Sequence, residues 1–166
     1  MTTTEGPVVI NAGPLVALSM VGRLDLLEAL YTRVLVPGAV MQEVVTAGAG
    51  RIGAREVADA VFLERVLVEP PPDPLLAGEL GPGEAEVIAL AHRQGARLVI
   101  LDERRARRIA EHAYGLPVKG TAGLLVSAKR KGAVPAVRPL LEAMVQKGYF
   151  LAERLVERAC REAGEG

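Results

Sequence analysis

The sequence predicts an α/β sandwich around a parallel sheet, and three observations carry that expectation. The runs Val8-Val9-Ile10 and Leu98-Val99-Ile100-Leu101 are continuously apolar rather than alternating, the mark of strands buried on both faces. Segments of helical periodicity separate the short apolar runs, as parallel strands joined by crossover helices require. A chain of 166 residues, 50% hydrophobic and 24% charged, has the size and composition of one globular domain.

In chain order, Val8 to Ile10 ends at Asn11-Ala12-Gly13-Pro14, where Pro14 is placed to begin a helix. Leu15 to Ser19 and Leu24 to Leu30 read as helical pieces divided by Gly22. Val34-Leu35-Val36 before Pro37 is a second strand, and Val40, Met41, Val44 and Val45 then recur at helical spacing. Ala54 to Phe62 reads as a helix, Arg65 to Val68 as a strand, and Glu69 to Pro74, with four prolines, as a surface connection. Gly81-Pro82-Gly83 starts the clearest helix, Glu84 to Arg93. The Leu98 run stops at Asp102, and the helix after it, Glu103 to Tyr114, sets Ala106, Ile109, Ala110 and Ala113 on one stripe. Leu116-Pro117-Val118 reads as an edge strand, followed by helices at Thr121 to Arg130, Val137 to Lys147 and Ala152 to Arg161.

Composition removes several function classes. Three Tyr, two Phe and no Trp leave little for modules that read single-stranded RNA on aromatic platforms. The single cysteine, Cys160, excludes an intramolecular disulfide and a cysteine-based zinc site, and it fits a reducing compartment, with the cytoplasm as the expected location. No apolar run reaches the roughly 18 residues of a membrane span, and Met1 to Glu5 has no leader character. The net charge of zero hides a segregation by sign. Residues 1–90 hold five basic and twelve acidic side chains, whereas 91–131 hold ten basic against three acidic. Such asymmetry serves either helix faces that pair with each other or a patch for a polyanion beside carboxylates that hold a cation.

Four oxygen-bearing side chains are placed to converge. In an open parallel sheet, ligands collect beyond the carboxyl ends of the strands, and Asn11 and Asp102 each follow an apolar strand there. Glu84 precedes Val87, Ile88 and Ala91 on one helical stripe, so its carboxylate shares the buried face and needs a partner, a cation or a water-filled cleft. Glu43 sits at the margin of the apolar face carrying Val40. Hard oxygen donors of this kind suit Mg²⁺ or Mn²⁺, which would polarise a phosphodiester and activate water. The plainer alternatives are a first-turn acid favouring the helix dipole at Glu84 and an N-cap at Asp102.

The runs VVINAGPLVAL, LVPGAVMQEV, LGPGEAEVIALAHRQGARLVILDERRAR and GTAGLLVSAKRKG resemble a PIN-like family of bacterial and archaeal proteins related to the PIN-domain ribonuclease toxins of toxin-antitoxin systems. The resemblance covers roughly 8–148, leaves 149–166 as a C-terminal helical extension of one domain, and implies a three-layer α/β/α sandwich. It implies an acidic quartet that binds Mg²⁺ or Mn²⁺ to cleave RNA, falling here on Asn11, Glu43, Glu84 and Asp102, the residues that position had already selected. Single-stranded RNA is the implied substrate, with an antitoxin protein and a homodimer as candidate associations. Asn11 departs from the pattern by offering a neutral carbonyl where catalytic members carry Asp, and Gly13 lacks the hydroxyl often found there. Losing one charge weakens divalent binding. The alternative is an inactive RNA- or protein-binding module on the same fold.

Remaining signals are weaker. Gly48-Ala49-Gly50-Arg51-Ile52-Gly53 matches the dinucleotide fingerprint G-x-G-x-x-G with Glu69 near the ribose-binding distance, which makes a dinucleotide-binding protein the third choice, but the segment before it has helical spacing rather than that of a strand. Arg104, Arg105 and Arg108 follow Asp102 within two turns and serve either RNA phosphates or solubility. Thr121 aims at a phosphate or a metal-bound water, or caps its helix. His92 and His112 lack partners at metal-ligand spacing, and nothing activates Cys160 as a nucleophile.

Overall fold

The computed structural model describes residues 6–166; Met1 to Glu5, on which the leader expectation falls, lie outside them. Five strands, β1 (Val8–Ile10), β2 (Val34–Pro37), β3 (Leu63–Val66), β4 (Leu98–Ile100) and β5 (Val118–Lys119), form one parallel sheet in the order β3-β2-β1-β4-β5. The central strand, β1, is wholly buried, with Val8 opposite both Val34 and Leu98. The chain builds outward from β1 to β3 on one side and from β4 to β5 on the other. The strand order therefore reverses between β1 and β4, where the loops leaving their carboxyl ends diverge and open a cleft.

The helices are α1 (Ala12–Met20), α2 (Asp25–Leu30), α3 (Gly38–Met41), α4 (Ala54–Asp59), α5 (Pro74–Glu79), α6 (Pro82–Gln94), α7 (Arg104–Arg108), α8 (Thr121–Arg130), α9 (Arg138–Gln146) and α10 (Glu153–Glu162). Wider π turns at Gln42–Thr46 and Ile109–Ala113 continue α3 and α7. Through the wholly buried Val87, Ile88 and Ala91, α6 packs on β1, β2 and β4, and α8 packs on β5, α2 and α10. The result is a three-layer α/β/α sandwich, as expected. Among the described residues no helix is long and apolar enough to cross a membrane.

The elements depart from expectation where edges and prolines decide. The third strand lies two residues earlier than Arg65 to Val68, because the chain pairs with β2 from Leu63 to Val66 and Leu67 is 78% exposed beyond it. Arg33 fixes that edge by donating to both Glu64 oxygens at 2.9 and 3.0 Å. The proline-rich connection ends in a helix, α5: Pro74 occupies its first position and the Asp73 carboxylate accepts from the Leu75 amide at 2.8 Å. Gly48 to Gly53 joins the π turn after α3 to α4 and follows no strand, so it lacks the setting a dinucleotide fingerprint requires. The C-terminal stretch is no appendage, since α10 packs on α8 and α9 and Cys160 is wholly buried.

Candidate active site

Asn11 leaves β1 at the reversal point, its backbone amide donating to the Ile100 carbonyl at 3.0 Å and tying the ends of β1 and β4 together. Only 8% of the residue is exposed, and its Oδ1 has no hydrogen-bond partner among the described residues. An unpaired buried carbonyl of this kind costs about 1–3 kcal/mol, so the position favours something that will approach that oxygen. Glu43, carried by the π turn after α3, reaches the same spot. A Cβ on Gly83 would lie 3.2 Å from Glu43 Oε1 and 3.5 Å from Asn11 Oδ1, so both oxygens lie over the start of α6 where a side chain is missing.

Glu84 is the next residue of α6 and is half-buried. Burial pushes its pKa above the usual carboxylate range; Glu103 and Glu43 add to the shift, and a backbone hydrogen bond from Gly81 opposes it. Asn11, Glu43, Glu84 and Asp102 all line one cavity of about 880 Å³. Among the described residues, however, no three His, Cys, Asp or Glu side chains draw together into a ready-made metal cluster.

Asp102 is engaged from two sides. Its Oδ1 accepts the Thr121 amide at 2.7 Å, and its Oδ2 accepts the Thr121 hydroxyl at 2.6 Å and the Tyr149 hydroxyl. The cap of α7 is Glu103, whose carboxylate accepts the Arg105 and Ala106 amides, so Asp102 is not needed for that helix. Instead it serves the start of α8, whose own cap position, Gly120, has no side chain. A Cβ there would fall 2.7 Å from Asp102 Oδ1 and 2.6 Å from Arg107 Nη1. Thr121 is wholly buried, and its hydroxyl donates to Asp102 and so orients that carboxylate.

Along α7 and its continuation, Arg104, Arg107, Arg108 and Glu111 line the cavity at spacing i, i+3, i+4 and i+7, one helical face. Arg105 lies off that face and pairs with Glu79. Helical phase, more than nearness to Asp102 in sequence, puts Arg107 on this face. His112 is exposed and also lines the cavity. Tyr149, between α9 and α10, carried no sequence signal beyond its rarity. It is held by burial and by the negative Asp102, which together push its hydroxyl pKa well above the usual range. A Cβ on Gly13 would fall 2.7 Å from Tyr149 Oη, so the phenol enters the site only because position 13 has no side chain.

A family model described as PIN domain matches residues 7–165, which takes in the C-terminal stretch that the sequence resemblance left outside. No curated protein matches the chain.

Proposed function

The chain belongs to the PIN-domain family, and from that premise we propose that it is a divalent-metal-dependent ribonuclease acting on single-stranded RNA in the cytoplasm, weakened by Asn11 at the first acidic position. The observation that carries this reading is the buried, unpaired Asn11 Oδ1 beside Glu43 at the edge where Asp102 stands. The donor set fits Mg²⁺ or Mn²⁺, being oxygen throughout, with one half-buried carboxylate already disfavoured as a charge by its burial. Glu43, Glu84 and Asp102 would hold the ion with Asn11 assisting, and the ion would supply Lewis-acid activation of water and of the scissile phosphate. Thr121 and Tyr149 fix the Asp102 carboxylate by donating to it. Arg104, Arg107 and Arg108 hold the flanking phosphates. An antitoxin partner and a homodimer rest on the resemblance alone and add nothing to the chemistry of the site.

Purified protein is expected to cleave single-stranded RNA only at elevated Mn²⁺ or Mg²⁺ and not in EDTA. Asn11→Asp restores a charge to the ion and raises the rate about tenfold, corresponding to roughly 1.4 kcal/mol of transition-state stabilisation. Asp102→Asn lowers it. Cleavage that persists in EDTA or survives Asp102→Asn refutes the mechanism. The three hydrogen bonds already on Asp102 favour a second reading, a binding module without hydrolysis. That reading takes over if neither wild type nor Asn11→Asp cleaves RNA that both bind.

A further inference from the structure

Tyr149 and Phe150 are adjacent, and both line the cavity, in a chain with five aromatic residues of these kinds. Their environments are opposite. Tyr149 is partly buried with its hydroxyl on Asp102, whereas Phe150 is 86% exposed. The exposure is not slack in the chain. Gly148, at φ +100°, makes the turn after α9; the Tyr149 amide donates to the Met144 carbonyl at 3.0 Å; and Leu151, on the other side, is buried. An apolar ring is thus presented to water between two anchored neighbours, at a cavity also lined by the acidic residues and by Arg104, Arg107 and Arg108.

We propose that Phe150 is the stacking platform for an unpaired nucleobase of the RNA, next to the scissile position; the proposal rests on the ribonuclease reading above. The physical case is that an exposed ring on an anchored stretch of backbone offers an uncovered π face, and a base flanked by phosphates fits a cavity that presents an aromatic face together with guanidinium groups. Bases inside a duplex are already stacked on their neighbours, so the platform selects single strands. Because every base has a π face, it discriminates weakly among sequences, with the larger purines favoured. One ring at one subsite also accommodates the chain's scarcity of aromatics, which disfavours only modules that read several bases this way.

The natural sequence has no Trp, so Phe150→Trp introduces a unique indole as a reporter. In a Glu84→Gln background, used to suppress cleavage, an eight-nucleotide oligoadenylate in Mg²⁺ is expected to quench the indole emission, and the same strand in a duplex is not. In the same background Phe150→Ala should weaken single-strand binding about tenfold, within the range expected for one base on one aromatic ring, and leave duplex binding unchanged. If the single strand binds with the indole emission unchanged and with no loss on Phe150→Ala, the platform is refuted while the ribonuclease reading stands. If neither the wild type nor the Glu84→Gln protein binds RNA, that reading fails and takes the platform with it. An emission change that depends on protein concentration without RNA means a second copy covers Phe150, which also overturns the proposal.

Discussion

Gly13 illustrates how a single residue at the start of the chain is set by one near its end. It is the second residue of α1, and replacing a helical Gly by Ala ordinarily stabilises by up to about 1 kcal/mol. Here the added Cβ meets the Tyr149 hydroxyl oxygen at 2.7 Å, and overpacking of that kind costs about 1–3 kcal/mol, so the clash wins. Removing the oxygen by Tyr149→Phe leaves the ring carbon at 3.7 Å, an ordinary contact. Gly13→Ala is therefore expected to destabilise the wild type by roughly 1–2 kcal/mol and to become neutral or stabilising in the Tyr149→Phe background. A urea double-mutant cycle reads the coupling, and zero coupling would mean the phenol does not sit over Gly13. In the sequence, the missing hydroxyl at position 13 was legible. Its replacement was not, because nothing local connects Gly13 to Tyr149, which tertiary packing alone brings to the same carboxylate.

Among the elements, the three C-terminal helices are joined through Glu165. Its carboxylate accepts from Lys129 Nζ at 2.9 Å on α8 and from the amides of Val137 and Arg138 at 2.7 and 3.0 Å at the start of α9. The Lys129 hydrogen bond first, then those two amides, lower its pKa to about 2 from an ordinary 4.5. Because the folded value is the lower one, the stabilisation is fully present above about pH 4.5 and fades as the pH falls towards 2. Thermal melts should show Glu165→Gln less stable than wild type near neutrality, with the gap closing over that acidic window; a gap of constant size would place the stabilisation elsewhere. The same contrast between local and distant causes governs the legibility of the elements. The strands β1 and β4 and the helix α6 were readable because continuous apolar runs and a Gly-Pro start announce them locally. The register of β3 and the docking of α10 were not, since pairing with β2 and a capping carboxylate far along the chain decide them.

At the scale of the whole molecule, the sheet order places acidic and basic stretches around one cleft. Asn11 comes from the end of β1, Glu43 from the helix after β2, Glu84 from α6 and Asp102 from beyond the end of β4, so four separate segments contribute to the lining of one cavity at the edge where the strand order reverses. Glu84 is already disfavoured as a charge, chiefly by burial and then by Glu103 and Glu43. Adding one more carboxylate by Asn11→Asp puts a buried negative charge where Oδ1 now stands unpaired, beside Glu43. Without a divalent ion the variant should therefore melt below the wild type, since an uncompensated charge loses more by desolvation than a neutral amide does. With Mn²⁺ the order should reverse. Binding stabilises the folded state by RT ln(1 + [L]/Kd), about 2.7 kcal/mol at a hundredfold excess over Kd, and the added charge lowers Kd. Melting temperatures of both proteins across a Mn²⁺ titration separate this account from a purely structural role for Asn11, because a structural defect would persist at every concentration. If the ion shifts both proteins equally, position 11 does not face the cation, and the proposed set of four is not the one that binds it.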